Sequence, residues 1–92
     1  MEKFIYDGLE FEAYRIPTIK TALLLIKGTR GFLGCRYFDL AVAERLNEAV
    51  AIVAAGSFED MVRAEVLRVS PAAAALGIEP GMTGGEALKR MV

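Results

Sequence analysis

The 92-residue chain contains no histidine and no tryptophan, and it has a single cysteine, Cys35. Without histidine there is no imidazole base, no cysteine–histidine pair and no histidine metal ligand. One thiol cannot form an internal disulfide or a thiolate cluster, so we expect a cytoplasmic location. The acidic residues are dispersed rather than spaced as in a calcium-binding loop, and we predict neither a metal site nor a cofactor.

Long hydrophobic runs and runs of like charge are also absent. The longest apolar run, residues 49–55, is far shorter than the ~20 residues that cross a bilayer. The N-terminal residues have no signal-peptide hydrophobic region. The net charge of −1 is scattered over both signs, with no basic stripe for a phosphate backbone. These patterns predict one domain, residues 1–92, with neither nucleic acid nor membrane as a partner.

Apolar residues are unusually abundant for so small a chain. If glycine is counted and tyrosine is not, about 61% of the residues are apolar, where roughly 45–50% is ordinary. A body of this size has too little interior to hide them all, and exposed apolar patches usually mark an interface. We therefore expect a homo-oligomer, although the many alanines raise the count without adding much area.

The N-terminal third predicts antiparallel strands. Asp7-Gly8 is a two-residue hairpin turn between alternating segments, and Pro17 should end the second strand. Residues 21–27 are apolar on both faces and predict a central strand covered on both sides. A turn at 28–31, with its two glycines in unusual dihedrals, should lead into a strand over 32–38. Within this strand Gly34 indicates a bulge or a close backbone approach.

The remainder alternates short helices with strands. Asp39 should cap a helix over 40–48 whose shared apolar face is Leu40, Ala43 and Leu46. A buried strand over 49–55 and a short helix capped by Ser57 follow, and then a strand over 65–69.

Near the C-terminus the sequence contains residues typical of helix caps and turns. Ser70 should cap a helix that stops at Gly77, Pro80-Gly81 is a turn, and Thr83 with Glu86 forms a capping box for a last helix. Together these elements predict an α+β fold. We expect a mixed, mostly antiparallel sheet of about five to six strands, with three to four short helices packed largely on one side.

Two stretches together resemble a known family. GFLGCRYFDLAVAERL (31–46), followed by ALGIEPGMTGGEALKRM (75–91), is similar to the YunC-like proteins of bacteria and archaea, a domain with no known function. The resemblance covers roughly residues 19–91. Arg36 stands where the family pattern has glycine. The resemblance implies a small, soluble prokaryotic α+β domain, and it implies no activity.

Cys35, Arg36 and Asp39 are the candidate catalytic residues. A thiol between a strand end and a helix start lies near backbone amides, and arginine favours a thiolate. Against this, Asp39 opposes that field and no histidine is present to act as the base. A small buried hydrophobe is the alternative interpretation of Cys35.

Gly31, Gly34, Thr83 and Gly84 are the candidate ligand-binding residues. Glycines near a basic residue, or at a helix start with a free hydroxyl, can receive an anion. A hairpin turn and a capping box explain the same residues structurally. Two functions stay open. One is an oligomeric, non-catalytic module that binds a small ligand or a protein partner, and the other is an enzyme centred on Cys35, with its site in one chain or assembled at a subunit interface.

Overall fold

Turn and cap residues divide the chain into six strands and four helices. The computed structural model describes all 92 residues. The elements in chain order are β1 (Glu2–Tyr6), β2 (Leu9–Pro17), β3 (Ala22–Lys27), β4 (Phe32–Gly34), α1 (Leu40–Leu46), β5 (Val50–Ile52), α2 (Phe58–Arg63), β6 (Arg68–Val69), α3 (Pro71–Ala75) and α4 (Gly84–Lys89). None of the four helices is long and apolar enough to cross a membrane.

The predicted N-terminal hairpin is confirmed. Asp7 and Gly8 both have positive φ, 52° and 77°, as a type I′ turn requires. β1 pairs antiparallel with β2, and β2 ends at Pro17 because proline has no N–H for the ladder.

The turn after β3 lies where it was predicted, but its glycines are needed for a different reason than predicted. The Gly28 N–H donates to the Gly31 carbonyl at 2.9 Å, yet neither glycine has a positive φ. The prediction of unusual dihedrals is therefore wrong. A Cβ at Gly28 would overlap the carbonyl of Met91, and one at Gly31 would lie 2.5 Å from the carbonyl oxygen of Ala49. Both positions need glycine because another segment packs directly on the backbone.

The chain leaves β4 earlier than predicted. The strand expected over 32–38 ends at Gly34, and the next residues form a tight turn in which the Phe38 N–H donates to the Cys35 carbonyl at 3.3 Å. Gly34 does not form a bulge. The ring of Phe38 packs on it, and a Cβ there would lie 2.6 Å from a ring carbon. This close approach turns the chain out of the sheet.

Helix α1 starts as predicted but ends differently. The Asp39 carboxylate accepts the Ala41 N–H at 2.9 Å, and the helix stops at Asn47, which is left-handed with φ 57°. Ala43 is buried against the sheet, whereas Leu46 is 64% exposed. The prediction that Leu46 shares the buried face is wrong, because a helix of two turns contacts the sheet only through its first turn.

The predicted caps of the later helices are confirmed, but two strands are shorter than expected. Of the strand predicted over 49–55, only Val50–Ile52 pairs in the sheet, and Ala54 is already exposed. The hydroxyls of Ser57, Ser70 and Thr83 accept the N–H groups of Asp60, Ala73 and Glu86. Instead of a strand over 65–69, only residues 68–69 pair with β5. Glu65 bridges Thr83, and the Val66 N–H donates to the Met82 carbonyl at 2.8 Å, so the start of this segment pairs with the α4 entry instead.

The six strands form one sheet in sequence order, and the predicted α+β class is confirmed. Neighbours are antiparallel except β4 and β5, which are parallel with α1 as the crossover. The inner face carries the main core of 17 buried residues, to which α2, α3 and α4 contribute. α1 lies on the outer face, above Val50 and Ile52. Three of the four helices therefore lie on one side.

Ser70 links the start of α3 to the start of β5. Its hydroxyl is almost completely buried, donates to the Glu48 carbonyl at 2.7 Å and accepts the N–H groups of Val50 at 2.9 Å and Ala73 at 3.3 Å. One oxygen therefore caps α3 and fixes the start of β5.

Replacing Ser70 should destabilise the fold more than replacing an ordinary cap. We expect Ser70→Ala to lower the free energy of unfolding by about 2–3 kcal/mol, because the buried Val50 N–H loses its partner. Ser57→Ala removes an accessible cap and should cost only ~1 kcal/mol. Urea unfolding followed by circular dichroism measures both, and equal losses would contradict the role assigned to Ser70.

Candidate functional site

Cys35 lies at the carboxyl end of β4, immediately beside the carboxyl end of the parallel strand β5. Its N–H donates to the Leu24 carbonyl at 3.1 Å, and its Sγ accepts the Leu24 N–H at 3.3 Å. The residue is 6% exposed and belongs to the main core. The sulfur is therefore held by one backbone amide and packed, and this position favours the interpretation as a small core residue.

Cys35 also forms part of the wall of a cavity. This cavity of about 560 Å³ opens at the end of the sheet where β4 and β5 stop. Crevices outside the carboxyl ends of parallel strands are common ligand sites in open α/β sheets, and β4 with β5 is the one parallel pair of this sheet. The cavity is lined by Thr21, Ala22, Cys35, Arg36, Tyr37, Ala54 and Ala55.

The structure brings two of the three catalytic candidates together. Arg36 follows Cys35 along the chain, and both line the cavity. Asp39 is not part of that wall, because its carboxylate caps α1 on the outer side of the sheet. The cavity is lined by no carboxylate, and the chain has no histidine, so no ordinary proton acceptor stands beside the sulfur.

The glycine candidates are explained by close packing. Gly31 packs against Ala49, and Gly34 lies under the ring of Phe38. Gly84, at the start of α4, packs so tightly on the Met61 backbone carbonyl that a Cβ would overlap it. None of the three lines the cavity beside Cys35.

The hydrogen-bonding groups of Thr83 are used within the helix that it caps, α4. Its hydroxyl accepts the Glu86 N–H at 3.1 Å, and the Glu86 carboxylate accepts the Thr83 N–H at 3.3 Å. This capping box sets a negative charge at the start of α4, where an anion would otherwise bind. The arrangement supports a structural role for Thr83.

Five cavity residues are absent from the sequence-based candidates. These are Thr21, Ala22, Tyr37, Ala54 and Ala55. For Tyr37, Ala54 and Ala55 the signal is the order strand, helix, buried strand over residues 32–55. Parallel neighbours need a crossover of this kind, and when two strands pair in parallel their carboxyl ends meet at one edge. The sequence has no comparable signal for Thr21 and Ala22.

Comparison with known proteins gives the family. The sequence pattern described as "Domain of unknown function (DUF1805)" matches residues 34–91, more than half of the chain. This chain belongs to the DUF1805 family. The match includes Cys35, Arg36, the cap of α1 and the whole C-terminal region. The resemblance to YunC-like proteins that the two sequence motifs indicate is thereby confirmed.

One protein is similar to this DUF1805 domain in sequence, and one solved structure is similar to it in fold. The "Uncharacterized protein YunC" of Bacillus subtilis (strain 168) is 31% identical over 91 residues, covering 94% of this chain and 90% of that protein. A crystal structure of TA1206 from Thermoplasma acidophilum, described as a protein of unknown function, matches 99% of this chain and 90% of its own with a TM-score of 0.92. At 22% identity, the second likeness shows the shared fold.

Gly84 offers a test of the packing explanation. We expect Gly84→Ala to lower the free energy of unfolding by about 2–3 kcal/mol, because the added methyl overlaps a backbone carbonyl that cannot easily move. Gly56→Ala is the matched control, since nothing lies within 4 Å of a Cβ there and φ is not positive. It should change stability by no more than ~0.5 kcal/mol. If the Gly84 variant were as stable as the control, this glycine would return to the ligand-binding candidates.

Proposed function

We propose that this DUF1805 domain is a self-associating, non-catalytic module of the cytoplasm that binds a small ligand in the cavity beside Cys35. The observation that carries the proposal is the cavity itself, which opens widely to solvent and has a wall of mixed polar and apolar surface. Its volume of about 560 Å³ lies within the range of roughly 300–1,000 Å³ that small-molecule sites occupy.

The lining indicates the class of ligand. Three of the seven lining residues are alanines, and the residues with polar side chains are Thr21, Arg36 and Tyr37. Arginine pairs with carboxylates and phosphates through a planar fork. A small molecule with an apolar body and one anionic group, such as a short carboxylic acid, fits this combination.

The absence of a proton acceptor supports binding without chemistry. The cavity wall offers the sulfur of Cys35 no carboxylate or imidazole, and Asp39 is used by the α1 cap. A thiol nucleophile usually depends on such a base. The buried sulfur, which accepts a hydrogen bond from the Leu24 N–H, therefore contributes to the wall rather than to a reaction.

Self-association is the second part of the proposal. Large apolar side chains are exposed at Ile5, Ile16, Ile19, Leu46 and Leu67, among others. Together with the high apolar content of the chain, these exposed side chains support a surface that another chain covers.

A thermal-shift experiment tests ligand binding. Apolar carboxylic acids of increasing size should include compounds that raise the melting temperature. At about ten times its Kd, a ligand stabilises the fold by ~1.4 kcal/mol, or roughly 6–11 °C for a domain of this size.

Filling the cavity is the matched control for that experiment. Ala54→Trp fills the cavity from an exposed wall position and should abolish the shift, while Ala74→Trp, on the exposed side of α3, should keep it. A shift that persists in Ala54→Trp, or a panel without any shift, would contradict the proposed site.

An enzyme centred on Cys35 is the second candidate. One observation favours it: Cys35 and Arg36 share the wall of a cavity that a substrate can enter. If Cys35 is a nucleophile, its thiol should react faster in the folded protein than in the unfolded chain. If Cys35 only packs in the core, its thiol should react more slowly in the folded protein.

Alkylation of Cys35 separates these two functions. We expect iodoacetamide to modify Cys35 at least about tenfold more slowly in the folded protein than in urea, because the folded sulfur is buried. Mass spectrometry of quenched samples gives both rates, with glutathione as the control for the effect of urea on the reagent. Faster modification in the folded protein would favour the enzyme.

A further inference from the structure

A groove on the outer face of the sheet differs in chemistry from the cavity beside Cys35. It has a volume of about 330 Å³, and its lining comes from β4, β5, α1 and the segments that flank α1. Three of the eight lining residues are aromatic, two are acidic and none is basic. These residues are Phe32, Tyr37, Phe38, Asp39, Val42, Ala43, Glu48 and Val50. The groove therefore combines aromatic rings with negative charge.

Two of the aromatic side chains in this groove pack together, and the third lies open. The rings of Phe32 and Phe38 meet edge to face, with centroids 5.2 Å apart and an angle of 61° between their planes. Both residues are only half-buried, and Tyr37 is 58% exposed. The faces of aromatic rings carry partial negative charge and attract cations within about 6 Å. The exposed parts of these rings therefore favour a positively charged ligand over an anion.

The two acidic residues lie at opposite ends of α1. Asp39 directly precedes this helix of seven residues, which is about 10 Å long, and Glu48 follows it by two positions. Asp39 accepts the Ala41 N–H through Oδ1 only, and the start of the helix offsets part of its charge. Glu48 is exposed, and neither carboxylate forms an ion pair. Both charges are therefore available to a bound cation, and Glu48 contributes the larger share.

The basic residues next to the groove do not neutralise it. Lys27 lies opposite Phe32 in the β3–β4 register, but it lines the two clefts at the β3–β4 turn and not this groove. Arg36 and Arg45 adjoin lining residues in the chain, yet neither lines the groove or forms a salt bridge. The groove thus keeps an uncompensated negative charge, which raises the local concentration of cations.

We infer that this groove binds a small organic cation that carries an alkylated ammonium group. Such a group is recognised by aromatic rings, and its methyl groups also gain contact with Val42, Ala43 and Val50. A bare metal ion does not fit, because nowhere in the chain do three or more acidic or thiol side chains lie close enough to hold one. The volume lies near the lower end of the range for small-molecule sites, so the ligand is small.

This inference goes beyond the proposed function, since the groove is a second site that selects the opposite charge. The cavity beside Cys35 has Arg36 in its lining and no carboxylate, whereas the groove has two carboxylates and no basic residue. A ligand that fits one site is therefore disfavoured in the other.

Titration with choline tests the site directly. In two-dimensional NMR spectra of the full chain, choline should shift the backbone amide signals of residues 37–43 and 48–50, with a Kd on the order of 1 mM. The matched ligand control is the uncharged isostere of choline, in which a tert-butyl group replaces the trimethylammonium group. It should bind about tenfold more weakly. An isostere that binds as tightly as choline, or a choline titration without shifts in these residues, would overturn the inference.

Substitution of the carboxylates tests the charge of the groove. Glu48→Gln should raise the Kd of choline about fivefold and Asp39→Asn about twofold, because each removes one exposed charge while asparagine still caps α1. Glu59→Gln on α2 is the matched control, since it makes the same change in net charge on the inner side of the sheet. It should keep the parent Kd. Equal losses in the three variants would show a response to overall charge and would contradict the site.

Substitution of Tyr37 tests the role of the aromatic rings. Tyr37→Leu should raise the Kd of choline about threefold and leave that of the uncharged isostere unchanged, because leucine keeps an apolar contact but has no ring face. Phe32 and Phe38 stay intact, since both pack on the outer-face cluster of the core. An equal loss for the two ligands would contradict recognition of the charge by this ring.

Ala54→Trp separates the groove from the cavity beside Cys35. Tyr37 lines both sites, whereas Ala54 lines the cavity alone. This variant should therefore keep the parent Kd for choline. A loss would place choline in the cavity and overturn the inference, while the proposed binding of carboxylic acids would stand. Retained choline binding beside a panel of acids without any thermal shift would instead remove only the proposed function. Circular dichroism spectra identical to that of the parent confirm that the variants are folded.

Discussion

The contact between the Phe38 ring and Gly34 is the constraint from which the other features of this domain follow. Because Gly34 has no side chain, the ring can lie on the backbone of β4, and the chain turns at Cys35 instead of continuing as a strand. The turn carries α1 onto the outer face, and β5 then returns beside β4 in parallel. A sheet that is otherwise antiparallel acquires one parallel pair at this point.

That parallel pair determines where a ligand can bind. Since the carboxyl ends of β4 and β5 lie side by side, the chain segments that follow them diverge and leave a cavity between Arg36 and Ala54. The same geometry explains the position of the only thiol. Cys35 is the first residue after β4, where its Sγ and its N–H both bond to Leu24 of β3 and close the ladder. The cysteine serves the edge of the sheet and the wall of the cavity at once.

Features set by neighbouring residues could be predicted from the sequence, and features set by distant contacts could not. The Asp7-Gly8 turn and the caps at Asp39, Ser57, Ser70 and Thr83 depend on hydrogen bonds spanning two to four residues, so the local pattern determines them. The prediction of unusual dihedrals for Gly28 and Gly31 is wrong because these positions need glycine for another reason. Met91 and Ala49, which are distant in sequence, pack directly against the two glycine backbones and leave no room for a side chain. For the candidate site, the sequence identified Cys35 and Arg36, whereas Thr21, Ala54 and Ala55 join them only through the order of strands.

Tyr37 links the cavity to the outer face of the sheet. Its side chain is 58% exposed, and it lines both the cavity beside Cys35 and the groove on the outer face that Phe38 and Val42 also line. Tyr37 holds this position because it lies in the turn between β4 and α1, and that turn leaves the sheet where the parallel pair ends. A molecule bound in the cavity and a second molecule bound in the groove would therefore contact the same ring.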